Sequence, residues 1–232
     1  MYTLAIDTSN QVLGVAITKE NVLVGEIVTN IAKNHSVRLM PAIDQLMKEL
    51  QIKPSDLEKI VVAKGPGSYT GVRIGLTTAK TLAWALNIPI VGVSSLEVLA
   101  YQGKLSKVLI CPFFDARRGL VYTGLYKWQN RQMQLIHEEV NVMMEDWLEQ
   151  LLRRNEDIIF LSPDMHQFRT IITEMMGDSA IIPEDIFQIA NPTHLALAGL
   201  NKEGDQTHLL VPNYLRLAEA EAKWIAAQKE GQ

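Results

Sequence analysis

The chain has 232 residues, 47% of them hydrophobic and 21% charged, with a net charge of −4. This composition excludes an intrinsically disordered chain, and the length admits one large domain or two small ones. The acidic balance excludes an extensive non-specific grip on nucleic acid, which needs a basic surface to release counterions, but it leaves room for a small basic patch.

In chain order, TLAID (residues 3–7) reads as a buried strand ending in a carboxylate. TSNQ turns the chain into a second strand over 12–17, and TKEN turns it into a third over 22–28. Strands joined by such short turns predict an antiparallel meander. Over 35–50, Leu39, Ile43, Leu46, Met47 and Leu50 fall on one helical stripe, with Pro41 expected to disturb the first turn. A strand at 60–63, a helix over 70–86 and a buried strand at 88–93 follow, and SSLE at 94–97 is a capping pattern that opens another helix.

The pattern then restarts. Residues 107–115 run apolar into Asp115, ARRG turns into a strand at 120–126, KWQN turns again, and 131–140 makes a third strand. Asp7 stands five positions before Val12, and Asp115 five before Leu120. A helix at 144–152 and a strand at 158–161 extend the second unit. Two strand–Asp–turn–strand–turn–strand units predict a duplicated α/β fold. The matching architecture is a pair of ribonuclease-H-like halves, as in the actin and sugar-kinase (ASKHA) fold, with mixed sheets flanked by helices. The halves are expected at 1–102 and 103–232. The helical pattern at 218–230 either returns to the first half or extends into solvent.

GPGSYTGVRIG, at 65–75, sits where a phosphate-binding loop would. It lacks the Lys and Ser or Thr of a Walker A loop, and Thr70 stands where the third glycine of a dinucleotide fingerprint belongs. The amides of Gly65, Gly67 and Ser68 beside a helix start keep an anion reading open, with Asp7, Thr8, Ser9 and Asp115 as further nucleotide contacts. Within the helix, Gly71, Gly75, Ala79 and Ala83 recur every fourth residue and leave one face of nearly bare backbone. A helical glycine costs about 1 kcal/mol relative to alanine, so such a face implies close approach of another backbone. The neighbour is either the protein's own sheet or a helix of a second chain, with the 39–50 stripe beside it. On this reading the glycines serve packing more than phosphate binding.

The remaining chemistry is sparse. His35, His137, His166, His194 and His208 include no pair four apart, and Leu39 stands where a partner of His35 would fall. A lone histidine predicts no metal site, so His35 reads as a helix-start or interface residue. Neither Asp7-Thr8-Ser9-Asn10 nor Asp115-Ala116-Arg117-Arg118 has the glycine that follows the aspartate of a sugar-kinase phosphate loop. A side chain there narrows the approach of backbone to phosphate. Arg117 and Arg118 read as a solvated pair, or as a contact to a partner or an RNA phosphate. No G-x-S-x-G elbow supports a serine hydrolase. Trp84, Trp128, Trp147 and Trp224 lack stacking spacing and read as core or boundary residues. Cys111 reads as a buried thiol in a reducing compartment, no apolar run approaches the roughly 20 residues that span a bilayer, and MYTLAIDTS lacks a signal-peptide pattern. A cytoplasmic protein is expected.

The block GPGSYTGVRIGLTTAKTLAWALNIPIVGVSSLEVLA resembles the signature region of the TsaB (YeaZ) family. IDTSN, HSVRLMP, DARRGLVY and PNYLRLAEAEAKW extend the resemblance over nearly the whole chain. It implies the duplicated ASKHA fold and a part in bacterial threonylcarbamoyladenosine formation next to the anticodon of tRNAs that read codons beginning with A. It further implies a non-catalytic scaffold without a cofactor of its own, bound to the transferase (TsaD family) and an associated ATPase (TsaE family). The chain alone would be a homodimer, in contact with tRNA at most indirectly and with no membrane. The family's helical contact region falls on 35–50 and 70–86, which favours a partner interface at His35, Leu39, Ile43, Leu46, Met47, Leu50, Gly71, Gly75, Ala79 and Ala83. The alternative is a nucleotide-binding phosphotransferase or ATPase of the sugar-kinase type.

Overall fold

The computed structural model describes residues 1–31 and 34–215. The chain opens with β1 (Tyr2–Asp7), β2 (Val12–Lys19) and β3 (Val22–Asn30), then α1 (His35–Glu49), β4 (Leu57–Ala63), α2 (Tyr69–Leu86), β5 (Ile90–Val93) and α3 (Ser95–Ala100). It continues with β6 (Leu109–Asp115), β7 (Leu120–Gln129), β8 (Gln132–Met143), α4 (Met144–Leu152), β9 (Ile158–Leu161), α5 (Met165–Met176), β10 (Ala180–Ile181) and α6 (Pro192–Ala198). The first sheet has the order β3-β2-β1-β4-β5 and the second β10-β9-β6-β7-β8. In each, an antiparallel meander is extended by two parallel strands. Parallel pairing needs crossovers, and helices supply them. The result is the doubled ribonuclease-H-like arrangement of the ASKHA fold.

The duplication reaches the turns. Glu20 and Asn21 (φ 50° and 72°) join β2 to β3, and Asn130 and Arg131 (φ 53° and 61°) join β7 to β8. Two-residue hairpins with both residues left-handed match the twist of their strands. The four-residue turns expected at TKEN and KWQN are therefore shorter, and the strands run on to Lys19 and Gln129.

Helices cover both faces of the first sheet, so β1 and β2 are continuous buried runs rather than alternating ones. On one face, Leu39, Ile43, Leu46 and Met47 of α1 and Leu76, Ala79 and Ala83 of α2 pack with Leu4, Ile6, Leu13 and Val15. Helix α1 passes through Pro41 unbroken; Pro41 lies on the exposed side, where a carbonyl left without its helical donor can be hydrated. On the other face, Leu195, Ala196 and Ala198 of α6 pack with Ala5, Ala16 and Val61. Helix α3 is shared, with Val98 toward the first sheet and Leu96, Leu99 and Ala100 toward Ile110 and Phe114 of the second. Ser94 caps α3 by accepting from the Leu96 N–H, while Glu97, the second half of the capping pattern, pairs with Lys202 at 2.5 Å. Helices α4 and α5 cover the far face of the second sheet around Trp147, Phe113 and Phe160.

Lys59, buried on β4, donates from Nζ to the carbonyls of Gly199, Leu200 and Lys202 at 2.6, 3.2 and 3.3 Å. Gly199 is the C-cap of α6, and Leu200 and Lys202 follow it, so the cation sits just past the helix's C-terminal end, where it also complements the helix dipole. Burial pulls the Lys59 ammonium below its ordinary value. Beyond α6, Asp205 exchanges backbone with Ile90 and accepts the Gly92 N–H at 2.7 Å, covering the free edge of the first sheet. The chain then runs back along α2, where Lys80 Nζ donates to the Leu210 carbonyl at 2.9 Å and the Asn213 N–H to the Lys64 carbonyl at 2.7 Å.

Trp147 is a core residue at 1% exposure, but Trp84 is 70% exposed on α2, unlike the core or boundary position expected of it. Trp224 and the 218–230 pattern lie outside the described residues. Among the described residues, no helix is long and apolar enough to cross a membrane.

Candidate functional site

Two turns that follow matching strands, one after Asp7 and one after Asp115, face the gap between the halves. In each, the aspartate Oδ1 accepts the backbone N–H two residues on, from Ser9 in one case and Arg117 in the other, both at 2.8 Å. Their surroundings differ. Asp7, Thr8 and Ser9 are buried to 2%, 1% and 1% exposure. Burial pushes the Asp7 carboxyl up; the Ser9 hydrogen bonds and the nearby His35 oppose that only in part.

What buries them is the glycine loop. The Ser68 N–H donates to the Ser9 carbonyl at 2.7 Å, and Thr8 Oγ1 donates to the Gly71 carbonyl at 2.7 Å. A Cβ at Gly67 would strike the Ser9 carbonyl oxygen, one at Gly71 the Thr8 carbonyl oxygen, and one at Gly75 would lie 2.5 Å from Thr8 Oγ1. The glycines thus let the start of α2 lie directly on the first turn. Gly65, at φ 93°, serves the other side of the loop, with the Asn213 carbonyl close by.

This placement corrects the expected partner interface. Gly71, Gly75, Ala79 and Ala83 are buried against the protein's own first sheet. Leu39, Ile43, Leu46 and Met47 are buried in the same core, with Leu50 packed at its margin. Eight of these nine are buried, and Leu50 is partly so. Helical spacing revealed a bare face and an apolar stripe, but both are satisfied inside the chain. His35 is half-buried at the start of α1 and donates from Nε2 to the Asn10 carbonyl at 2.8 Å.

Between the halves lies a cleft of about 1020 Å³. Asn10, His35, Gly67 and Ser68 line it from the first half, and Asp115, Arg117, Arg118, Tyr122 and Asp164 from the second. Of the expected nucleotide contacts, Gly67, Ser68 and Asp115 reach this cleft; Asp7, Thr8, Ser9 and Gly65 do not. The Asp115 N–H donates to Asp164 Oδ2 at 3.0 Å. Burial pushes the Asp164 carboxyl above its ordinary value, and the Asp115 N–H that it accepts opposes that only in part. Among the described residues, no group of three or more His, Cys, Asp or Glu side chains is placed to hold a metal ion.

Several residues at this site carry no signal in the sequence. Tyr214 stacks on Tyr69 with centroids 5.5 Å apart, accepts at its hydroxyl from Arg73 Nε at 2.6 Å, and forms one rim of the cleft. Arg73 also lies over the Tyr69 ring, 3.8 Å from its centroid. Glu139, on β8, accepts from the hydroxyls of Ser94 and Tyr126 and from Asn213 Nδ2, the last at 2.8 Å. One carboxylate so joins α3, the second sheet and the returning C-terminal segment. Its three partners come from three separate stretches of chain, and no local pattern marks them.

Paired ribonuclease-H-like halves meeting at a cleft define a protein of the actin and sugar-kinase class. Residues 22–224 match the family described as "TsaD: tRNA N6-adenosine threonylcarbamoyltransferase". The "tRNA threonylcarbamoyladenosine biosynthesis protein TsaB" of Bacillus subtilis is 51% identical over 229 residues, covering 99% of this chain and 100% of that one. The Escherichia coli protein of the same description is 28% identical over 163 residues, 64% of this chain and 70% of its own. Among solved structures, YeaZ from Pseudomonas aeruginosa superposes with a TM-score of 0.77 at 26% identity, covering 92% of this chain and 99% of that one. The chain belongs to the TsaB (YeaZ) family.

Proposed function

We propose that this protein is a non-catalytic partner of a tRNA threonylcarbamoyltransferase of the TsaD family, required for threonylcarbamoyladenosine formation, with an ATPase of the TsaE family completing the assembly. The observation that carries the non-catalytic part is the covered first turn: α2 lies on Thr8 and Ser9 through Gly67, Gly71 and Gly75. A sugar-kinase mechanism needs that turn open to phosphates. Membership of the TsaB family supports the tRNA-modification role. The protein acts in the cytoplasm, with halves at 1–102 and 103–232.

The surface offered to the transferase is the outward side of the same two helices. Val37 and Met40 on α1 are 70% and 47% exposed, and Trp84 on α2 is 70% exposed. Exposed apolar groups on adjacent helices mark an interaction face, and in the absence of the partner such a face pairs with a second copy as a homodimer. Light scattering after size exclusion, on the chain alone and mixed with the transferase from the same organism, tests this. A dimer that exchanges into a mixed complex is expected, and Val37→Asp with Trp84→Asp should abolish the exchange while the fold persists. A chain that ignores the transferase would sink the proposal. Calorimetry with Mg-ATP addresses catalysis separately: heat that Asp7→Ala removes would restore the phosphotransferase reading.

A further inference from the structure

Arg117 and Arg118 sit in an unfavourable backbone. With Gly119 they form three successive left-handed residues, at φ 69°, 57° and 77°. L side chains resist this region because Cβ crowds the following carbonyl, and Gly or Asn normally occupies it. Nothing in the duplicated fold demands it here: none of Thr8, Ser9, Asn10 or Gln11 in the matching turn has positive φ. Both arginines are exposed, both line the cleft, and neither guanidinium is paired among the described residues. The turn is held from beneath instead, by the Arg117 N–H on Asp115 Oδ1 at 2.8 Å and the Leu120 N–H on the Arg117 carbonyl at 3.1 Å. That ties up one oxygen of the nearest carboxylate in the turn itself. Strained residues that carry free charge into a cleft are more readily explained by what they touch than by what they stabilise.

The rims of the cleft indicate the kind of partner. Tyr122 lines it beside the arginines, and Tyr69 and Tyr214 line its other side, half-exposed at 49% and 45%. Free guanidinium groups and half-exposed aromatic rings lining one cleft suit a nucleic-acid strand, with phosphates on the arginines and bases against the ring surface that Arg73 and the Tyr69–Tyr214 stack leave uncovered. An acidic peptide would use the charge but not the rings. At net charge −4 the chain has no broad basic surface, so the contact is confined to one or two phosphates within a larger assembly. We propose that the Arg117–Arg118 turn is a direct contact to the RNA phosphate backbone at the mouth of this cleft. The proposal rests on the reading that the protein works on tRNA alongside a transferase.

The test is the double variant R117N/R118N, chosen because asparagine accepts left-handed backbone. Three readouts are needed: thermal stability, complex formation with the transferase, and affinity of the mixed complex for a transcribed tRNA measured by anisotropy over a salt series. The expected variant melts about 2–4 °C higher, as relief of strain in a chain of this size implies. It should still form the complex, but bind tRNA about tenfold more weakly. Its salt slope should fall by about 1.4, for two phosphates at roughly 0.7 each. Unchanged tRNA affinity and slope would overturn the contact. So would loss of the protein complex, which would assign the arginines to a protein surface and leave the proposed function standing. If the wild-type chain forms no complex, the proposed function falls, and the same titration on the chain alone decides the contact: tRNA binding there that does not depend on the arginines, or none at all, overturns it.

Discussion

The two aspartate turns occupy matching places in the two halves but are not equivalent. After β4 comes Gly65-Pro66-Gly67-Ser68 and then α2; after β9 comes Ser162-Pro163-Asp164 and then α5. Without side chains at Gly67, Gly71 and Gly75, α2 closes on the first turn and bonds it backbone to backbone through Ser68 and Ser9. Helix α5 has no such glycines, and its N-cap Asp164 reaches the second turn with a carboxylate, accepting the Asp115 N–H. Thr8 and Ser9 of one turn are sealed into the core, while Arg117 and Arg118 of the other stand exposed on the cleft. A few missing Cβ atoms thus let one turn be built into the core, while the matching turn keeps two exposed arginines on the cleft.

The largest effect should come from restoring a side chain to the sealed turn. Gly71→Leu would drive its Cβ into the Thr8 carbonyl, which cannot move without displacing β1, and should cost about 3 kcal/mol or more in urea unfolding. A folded Gly71→Leu protein of wild-type stability would show that α2 does not rest on that turn. Next comes the buried carboxylate. Asp7 has its folded value raised above an ordinary 3.8, so the native state holds a proton that the unfolded chain has lost, and stability falls as pH rises from that value through the folded one. Asp7→Asn should therefore match wild type near pH 4 and exceed it at pH 7 in paired denaturation curves; equal stability at both would mean the carboxylate is solvated.

Thr8→Val removes the buried hydroxyl bonded to the Gly71 carbonyl at 2.7 Å while keeping its shape, and should cost about 1 kcal/mol by the same measurement. Smallest are the counterparts in the open half. Asp115→Asn keeps its acceptor for the Arg117 N–H, and Gln167, three past the N-cap of α5 as Gly71 is in α2, is exposed. Asp115→Asn and Gln167→Ala should each change stability by no more than about 0.5 kcal/mol. A large loss at either would erase the contrast between the turns.

The strands and helices were legible because their causes are local. LAI, VLGVAI and IVVA are apolar runs that only a sheet covered on both faces can bury, and Leu39, Ile43, Leu46 and Met47 repeat with the helical period. The duplication was legible from the spacing of Asp7 and Asp115 to the strands that follow. Turn lengths were harder to read: the polar look of KWQN hid a strand that continues to Gln129, because the half-buried residues at the end of a strand need not be apolar. The site was legible in part. Gly67, Ser68 and Asp115 do reach the cleft, but Tyr69, Tyr214 and Glu139 are assembled from segments whose sequence separation conceals them.

By itself the sequence determined the class of fold, the order of its elements, the repeat, and the presence of a helix face stripped of side chains. It could not say what that face meets. Periodicity records which side of a helix is bare or apolar, whereas contact depends on how the sheet, the turn and the helix are placed in three dimensions. Only the tertiary structure decided that the bare face of α2 lies on Thr8 and the first sheet, that Lys59 meets the chain leaving α6, and that the arginines of the second turn stand left-handed and free. These are relations between residues far apart in the chain, fixed by packing rather than by any local preference.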